Sequence, residues 1–165
     1  MATAMGRAED LRISLPQHRI SVFVPGRWQM TYERVNGVGD PVTLFTASTF
    51  PLRVRQADQA GATGICSKAL RRAWRPGGAY VQLAEERDGA SRKLMLRRVP
   101  KRPRHFTLTA SGWGGLCTPP DSGEILFQEG GRAFYVFYGI GAKASRATHA
   151  EAAALLDSLR ISARG

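Results

Sequence analysis

Hydrophobic residues recur along the chain in short runs that are separated by glycine, proline and other turn residues. Four of these runs alternate with polar residues or are rich in β-branched and aromatic residues, and each predicts a strand: residues 20–24, 42–50, 79–86 and 106–109. Residues 124–129 and 132–140 flank a Gly-Gly pair and predict a β-hairpin. Residues 134–138 are apolar at every position, which is typical of a central strand buried beneath helices on both sides.

Apolar residues at helical spacing predict two helices. Residues 69–74 place apolar side chains on one face after the N-cap residue Ser67, and a Pro-Gly-Gly segment ends that helix. Thr148 and Glu151 have the spacing of a capping box, and the helix that follows directs four apolar side chains toward the core. Residues 159–162 predict a last strand. Together these elements predict an α+β fold, an antiparallel β-sheet with helices on both faces.

The length and composition of the chain are those of one globular domain. Its 165 residues are 43% hydrophobic and 22% charged, which excludes a wholly disordered or collagen-like protein. Residues 1–10 are small and polar and predict a flexible arm, so the α+β domain is expected to span residues 11–165. No apolar run approaches the ~20 residues that cross a bilayer, and no transmembrane segment is expected. The arm also lacks the apolar core of a signal peptide, so an exported form would need a leader or anchor ahead of Met1.

The chain is strongly basic, with 24 Lys and Arg residues against 13 Asp and Glu residues and a formal net charge of +11. Such a charge favours a polyanionic partner, namely nucleic acid, an anionic membrane or an acidic protein. A second interpretation is compositional. Twenty of the basic residues are Arg, as a GC-rich genome encodes, and net charge supports solubility.

The basic residues concentrate in residues 87–104, where Asp88 is the one acidic residue. Five of them form a candidate polyanion-binding site, named here the basic patch: Arg97, Arg98, Lys101, Arg102 and Arg104. Pro100 and Pro103 predict that this segment is a loop. Because no aromatic residue interleaves the charges before Phe106, a solvated loop is the competing interpretation.

Two motifs near the end of the chain have the form of nucleotide-binding and RNA-binding signatures. Residues 139–144 match GxGxxA, but the chain has no room for further βα units after them, so a plain strand–helix connection is predicted. Residues 132–138 are rich in aromatic residues like an RNA-recognition strand but lack its glycine, so they are predicted to lie in the core.

The chain contains no sequence motif of a catalytic site, such as GxSxG, HExxH or a Walker loop. The three histidines, His18, His105 and His149, are scattered, and no carboxylate lies close in sequence to His105 to orient it as a base. Cys66 and Cys117 are not in a CxxC pair, so no zinc site is expected. The prediction is therefore of no catalytic residue, no metal and no cofactor, with an enzyme built from distant residues left open.

The two cysteines have two interpretations. In a cytosolic protein, Cys66 and Cys117 would be buried free thiols, whereas in an exported protein they would form a disulfide. Such a bond would stabilise the fold by roughly 4 kcal/mol in the chain-entropy model. The residues themselves leave both interpretations open.

Both ends of the domain resemble PsbP-like domains. Residues 20–28 match the opening of those domains, a strand followed by Pro-Gly and Trp, and residues 155–161 match their closing helix-to-strand junction. Further segments are similar to uncharacterised actinobacterial extracytoplasmic proteins with such a domain: Cys66, 69–70, 76–79, Glu85, 131–134 and 156–160. The resemblance spans most of residues 20–162. It implies a sandwich of an antiparallel sheet between helices, an extracytoplasmic or membrane-associated location and a Cys66–Cys117 disulfide, and it implies no catalytic residue.

Three functions are compatible with these observations. The leading expectation is a non-catalytic binding or accessory domain of an exported or membrane-tethered bacterial protein, with a protein or anionic partner. The alternative is a cytoplasmic protein that binds nucleic acid or another polyanion through the Arg-rich segment 87–104. The third is a hydrolase whose site is assembled from distant residues.

Overall fold

The computed structural model describes residues 10–35, 41–59, 68–109 and 122–163. Within these ranges the strands are β1 (Leu11–Leu15), β2 (Ile20–Val24), β3 (Gln29–Thr31), β4 (Val42–Ser48), β5 (Ala79–Glu86), β6 (Ser122–Glu129), β7 (Arg132–Ile140) and β8 (Arg160–Ile161). The helices are α1 (Gln56–Gln59), α2 (Lys68–Ala73), α3 (Gly89–Arg98) and α4 (Arg146–Asp157), with a 3-10 turn at Pro16–His18. Apart from Asp10, the predicted arm at residues 1–10 lies outside the described residues.

The strands form two antiparallel sheets where the sequence predicts one. A small sheet has the order β1-β2-β8, and a large sheet has the order β3-β4-β5-β7-β6. The α+β prediction is confirmed, with the correction that the first and last predicted strands pair with each other and not with the large sheet. The small sheet also contains β1, which the hydrophobic pattern does not predict. The strand predicted at residues 106–109 is absent.

The main hydrophobic core lies between α4, the small sheet and one face of the large sheet. Leu155 and Leu156 of α4 belong to the same buried cluster as Phe134 and Val136 of β7 and Val22 of β2. Each of these five residues is at most 1% exposed. Burial of a large apolar side chain contributes about 1.5–3 kcal/mol, so this core holds the two sheets together.

The helices α2 and α3 lie on the opposite face of the large sheet. Leu70 of α2 packs with Tyr80 of β5 in a second buried cluster, on the side of the strand that faces away from the main core. Gln128 of β6 points to the same side, and its Nε2 donates to the carbonyl oxygens of Leu96 (3.0 Å) and Val99 (2.7 Å) at the end of α3. Helices therefore lie on both faces of the large sheet.

The central strand β7 is buried on one face and half-covered on the other. Phe134, Val136 and Tyr138 lie in the main core and are at most 2% exposed. Tyr135 and Phe137 point to the opposite face, are half-buried, and stack with their ring centroids 5.7 Å apart. The prediction that helices bury the whole stretch is therefore wrong for these two rings, because the helices on their face do not cover them completely.

Residues 89–98 form the helix α3, where the sequence predicts a loop. Asp88 is the N-cap, and its Oδ2 accepts a hydrogen bond from the Ser91 amide (2.8 Å), which lowers the pKa of this carboxyl. The helix has no clear amphipathic stripe, since Leu94 is exposed and Met95 is its one buried residue. Its stability comes instead from the cap and from residue types with high helix propensity.

Glycines are required at two connections of the large sheet. Gly130 and Gly131 have φ angles of 60° and 72°, as a two-residue hairpin turn requires, so the predicted hairpin is confirmed. In the GxGxxA segment, a Cβ at Gly141 would overlap the Pro76 carbonyl, and a Cβ at Gly139 would overlap the Tyr80 ring. Close packing of the strand–helix connection therefore accounts for these glycines without a bound nucleotide.

Glu124 provides a pH-dependent test of the half-covered face, where it lies in register with Phe137. Desolvation by burial raises the pKa of its carboxyl. An acid whose pKa is raised in the folded state loses stability as the pH rises from the unfolded pKa to the folded pKa. The variant Glu124→Gln is therefore expected to raise the midpoint of thermal unfolding at pH 7 and to change it little below pH ~4. Equal shifts at the two pH values would contradict this assignment.

Candidate anion-binding face

The tripeptide Arg-Ile-Ser occurs three times, and the fold places all three copies in the small sheet. They are residues 12–14 in β1, residues 19–21 at the start of β2, and residues 160–162 in and after β8. Each isoleucine belongs to the main core or packs against it. Because side chains alternate along a strand, Arg12, Ser14, Ser21 and Arg160 point to the outer face. Arg19 and Ser162 flank the strands and border the same surface. Three shared residues are too few to be recognised as a sequence repeat, and the strand pairing is what reveals them.

The register of the three strands arranges these outward side chains in rows. Ser14, Ser21 and Arg160 lie directly opposite one another across the sheet. The Ser162 amide donates to the Arg19 carbonyl (3.0 Å), so these two residues form an adjacent row. Six residues make up this surface, named here the arginine–serine face: Arg12, Ser14, Arg19, Ser21, Arg160 and Ser162.

Arg12 is fixed at one side of the arginine–serine face. Its Nη1 donates to Ser21 Oγ over 3.1 Å. Its guanidinium carbon lies 5.8 Å from the ring centroid of Phe23, the residue opposite it in the sheet, and this cation–π contact holds the charge over the ring. The backbone of Phe23 is fixed in turn, because its amide donates to Ser158 Oγ at the end of α4 (2.8 Å).

Arg19 has a backbone conformation that favours glycine. Its φ is 53° and its ψ is 44°, and its amide donates to the Pro16 carbonyl (3.0 Å) to end the 3-10 turn. Among the described residues it is the one non-glycine residue with a positive φ. A side chain in this region costs on the order of 1 kcal/mol. Strain of this kind is typical of positions where function requires a particular side chain.

A shallow cavity of about 370 Å³ opens on the arginine–serine face. Within the described part of the chain, its lining has no acidic side chain, and its polar residues are Ser14, Arg19, Ser21, Arg160 and Ser162. A guanidinium presents several N–H donors in a planar fork that matches two oxygens of a phosphate or carboxylate, and serine hydroxyls add further donors. The chemistry of this surface therefore suits an anion.

Comparisons of the chain with protein-family models, curated proteins and solved structures found no match. No helix in the described ranges is long and apolar enough to cross a membrane. Across the same ranges, no group of three His, Cys, Asp or Glu side chains is placed to hold a metal ion. Cys66 and Cys117 lie outside the described residues, so the disulfide between them stays a prediction. The function is therefore inferred from the side chains and their geometry.

The structure separates the five residues of the predicted basic patch into four exposed residues and one that is largely buried. Arg97, Arg98, Lys101 and Arg104 are exposed, and the first two lie in the last turn of α3, where cations stabilise the negative end of a helix. The side chain of Arg102 is 16% exposed, and its guanidinium donates to three carbonyl oxygens at the end of α4. Arg102 therefore has a structural role, and anion binding by the other four residues stays a prediction.

His105 has a carboxylate partner that is distant in sequence. Its Nδ1 lies 3.2 Å from Asp157 Oδ2, and Asp157 Oδ1 accepts a hydrogen bond from the Phe106 amide (2.8 Å). The imidazole is 77% exposed, and no hydroxyl or thiol of the described residues bonds to it. Among the residues that the structure describes, the pair has the orienting carboxylate of a catalytic triad and no nucleophile. His149 is exposed on α4 and joins no such arrangement within the described ranges.

The variant Arg19→Gly is expected to weaken anion binding at this surface without lowering the stability of the fold. Glycine adopts the backbone conformation at position 19 without strain, so the variant should unfold at the same or a higher denaturant concentration, within about 1 kcal/mol of the parent protein. The same variant should bind a polyanion about tenfold more weakly, because one guanidinium is lost. Urea unfolding and an anisotropy titration measure the two effects. A strong loss of stability with unchanged binding would contradict the assignment.

Proposed function

We propose that this protein is a non-catalytic binding module that holds a phosphodiester polymer on the arginine–serine face. The observation that carries the proposal is the pairing of three Arg-Ile-Ser segments in one small sheet, with arginine and serine outward and isoleucine inward. The occupant that the geometry favours is a single strand of nucleic acid.

The charges of the arginine–serine face match a chain of phosphates. Arg12, Arg19 and Arg160 form no ion pair with an acidic side chain of the described residues. Guanidinium and hydroxyl groups are the donors that most often contact phosphate oxygens in complexes with nucleic acids. Each contact releases condensed counterions, so binding should weaken steeply with salt.

The shape of the surface also suits an extended strand. Outward residues of one strand repeat every ~7 Å, and neighbouring strands lie about 4.8 Å apart. The three arginines are therefore spread over a broad platform and are not gathered at one position. Phe23 lies at the edge of this platform, half-buried beside Arg12. Because the Arg12 guanidinium lies over this ring, an unpaired base would stack on the guanidinium plane and not on the ring itself.

The PsbP-like family and the exported or membrane-tethered location form a second part of the proposal. They are supported by the resemblance of residues 20–28 and 155–161 to those domains. Outside the cytoplasm the same face would hold a phosphodiester polymer without bases. A comparison of oligothymidine with poly(glycerol phosphate) distinguishes the two sources, since only the first has bases that can stack on the Arg12 guanidinium above Phe23.

The test compares two triple variants that remove the same charge. Arg12→Gln/Arg19→Gln/Arg160→Gln changes the arginine–serine face, and Arg97→Gln/Arg98→Gln/Lys101→Gln changes the basic patch. Fluorescence anisotropy with oligothymidine of about 20 nucleotides should show binding that the first variant weakens about 100-fold and the second less than about threefold. Equal losses would show that net charge alone is responsible. A larger loss in the second variant would move the site to the basic patch.

A further inference from the structure

A larger cavity, of about 650 Å³, lies between the extended segment 51–55 and α2. Arginine and small apolar residues alternate in its lining, whose members include Arg53, Val54, Arg55, Ala69, Arg72 and Ala73. This volume is within the range of cavities that hold small organic ligands. None of these residues belongs to the arginine–serine face.

Segment 51–55 contributes both arginines and apolar residues to this region. Leu52 and Val54 pack against the second buried cluster, which contains Phe50 and Leu70. The intervening residues Arg53 and Arg55 are exposed, and both line the cavity together with Val54. The cavity lining therefore combines two exposed arginines with apolar residues.

Arg72 is fixed as the third guanidinium of the cavity. It donates to both carboxylate oxygens of Asp58, at 3.0 Å and 2.8 Å, and to the Arg53 carbonyl at 3.1 Å. Asp58 is 3% exposed and also accepts a hydrogen bond from the Arg55 amide (2.8 Å). The bond from Arg72 lowers the pKa of the Asp58 carboxyl to about 2, so this ion pair is intact at neutral pH.

The ion pair leaves the cavity with an excess of positive charge. Asp58 neutralises Arg72, whereas Arg53 and Arg55 form no ion pair with an acidic side chain in the described ranges. Two charges therefore stand beside the methyl groups of Val54, Ala69 and Ala73. A ligand that satisfies both features carries an anionic group on a compact apolar body.

We propose that this cavity binds a small organic anion, with Arg53 and Arg55 holding a phosphate or carboxylate group and the alanine-lined wall contacting the apolar body. Arg72, immobilised by Asp58, is a fixed part of the cavity lining beside them. The site is independent of the proposed polymer-binding function, because it shares no residue with the arginine–serine face.

Isothermal titration calorimetry with phenyl phosphate, benzoate and inorganic phosphate tests this proposal. Phenyl phosphate should bind at least about tenfold more tightly than inorganic phosphate, because the ring buries apolar surface that the free ion lacks. Benzoate distinguishes a carboxylate site from a phosphate site. The variant Arg53→Gln/Arg55→Gln should weaken binding of phenyl phosphate about tenfold or more, with an unchanged circular dichroism spectrum because both residues are exposed.

A matched control makes the outcome decisive. Arg97→Gln/Arg98→Gln removes the same charge and should leave the affinity for phenyl phosphate within about twofold of the parent protein, since these residues lie outside the cavity. Equal affinity for phenyl phosphate and inorganic phosphate would overturn the proposal. So would equal losses in the two variants, or no saturable binding of phenyl phosphate or benzoate.

Discussion

Replacing Glu85 with Gln is expected to lower the free energy of unfolding by about 3–5 kcal/mol. Glu85 is 2% exposed and receives two hydrogen bonds from Arg132, at 2.8 Å and 3.0 Å, while Arg132 is itself 1% exposed. Arg87 adds a third contact at 3.3 Å. Removal of the carboxylate charge leaves the Arg132 guanidinium buried with its charge uncompensated, which is far more costly than the loss of a surface ion pair.

The same ion pair also supports the arginine–serine face. Arg132 Nη1 donates to the Ser162 carbonyl (3.2 Å), so the buried guanidinium holds the chain that follows β8. Loss of Glu85 is therefore expected to loosen the third Arg-Ile-Ser segment before the large sheet unfolds. Faster hydrogen exchange at the amides of residues 160–162 would report this local opening.

Chemical unfolding of matched variants checks the effect at Glu85. The control Glu33→Gln removes an exposed carboxylate and should change the free energy of unfolding by less than about 0.5 kcal/mol. The double variant Glu85→Leu/Arg132→Met, which removes both charges, should recover much of the loss. If Glu85→Gln costs less than about 1 kcal/mol, the buried ion pair does not hold the sheet as the structure indicates.

Replacing Arg102 with Ala is expected to cost about 2–4 kcal/mol. The Arg102 guanidinium donates to the carbonyl oxygens of Leu156 (3.0 Å), Asp157 (2.9 Å) and Leu159 (2.7 Å), and its Nη1 lies 3.2 Å from Glu129 Oε2. These bonds reach carbonyl groups at and just beyond the end of α4, of which that of Leu156 also accepts from the Leu159 amide (3.2 Å). They also join α4 to the edge strand β6.

A pair of neighbouring variants separates this structural role from charge. Lys101→Ala removes the same charge one residue earlier from an exposed position, and it should leave the free energy of unfolding within about 0.5 kcal/mol of the parent value. Arg102→Lys keeps the charge but not the planar fork, so it should recover less than half of the loss. Equal effects of Arg102→Ala and Lys101→Ala would assign Arg102 to the exposed basic patch after all.

The sequence predicts well those elements whose burial is regular. The strand at residues 20–24 and the helix α4 each have one buried face, so the spacing of their apolar residues follows their geometry. The predicted start of α4 is wrong, because its N-cap is Ser145 and not Thr148 of the predicted capping box. In α3, by contrast, one residue is buried, and Pro100 and Pro103 favour a loop interpretation although both follow the helix. This helix is stabilised by local helix propensity and by its N-cap. Neither of these features changes the spacing of hydrophobic residues, so the hydrophobic pattern does not predict the helix.

The candidate sites depend on pairings between distant segments. The arginine–serine face requires β2 to pair with both β1 and β8, and β8 is almost at the opposite end of the chain. The contact between His105 and Asp157 likewise joins residues that are 52 positions apart in the chain. Arg-Ile-Ser is too short to be recognised as a repeat in the sequence, and only the sheet shows that its three copies share one surface. The sequence alone shows the charge excess at residues 87–104. It does not show that Arg102, unlike its neighbours, is largely buried.

The salt dependence of oligothymidine binding tests the central assignment most directly. On single strands, each phosphate contact contributes about −0.7 to the slope of log K against log salt concentration. The variant Arg12→Gln/Arg19→Gln/Arg160→Gln should therefore have a slope shallower by about 2, while Arg97→Gln/Arg98→Gln/Lys101→Gln keeps the slope of the parent protein. A parental slope in the first variant and a shallower slope in the second would contradict the account, because the phosphates would then contact α3 and not the small sheet.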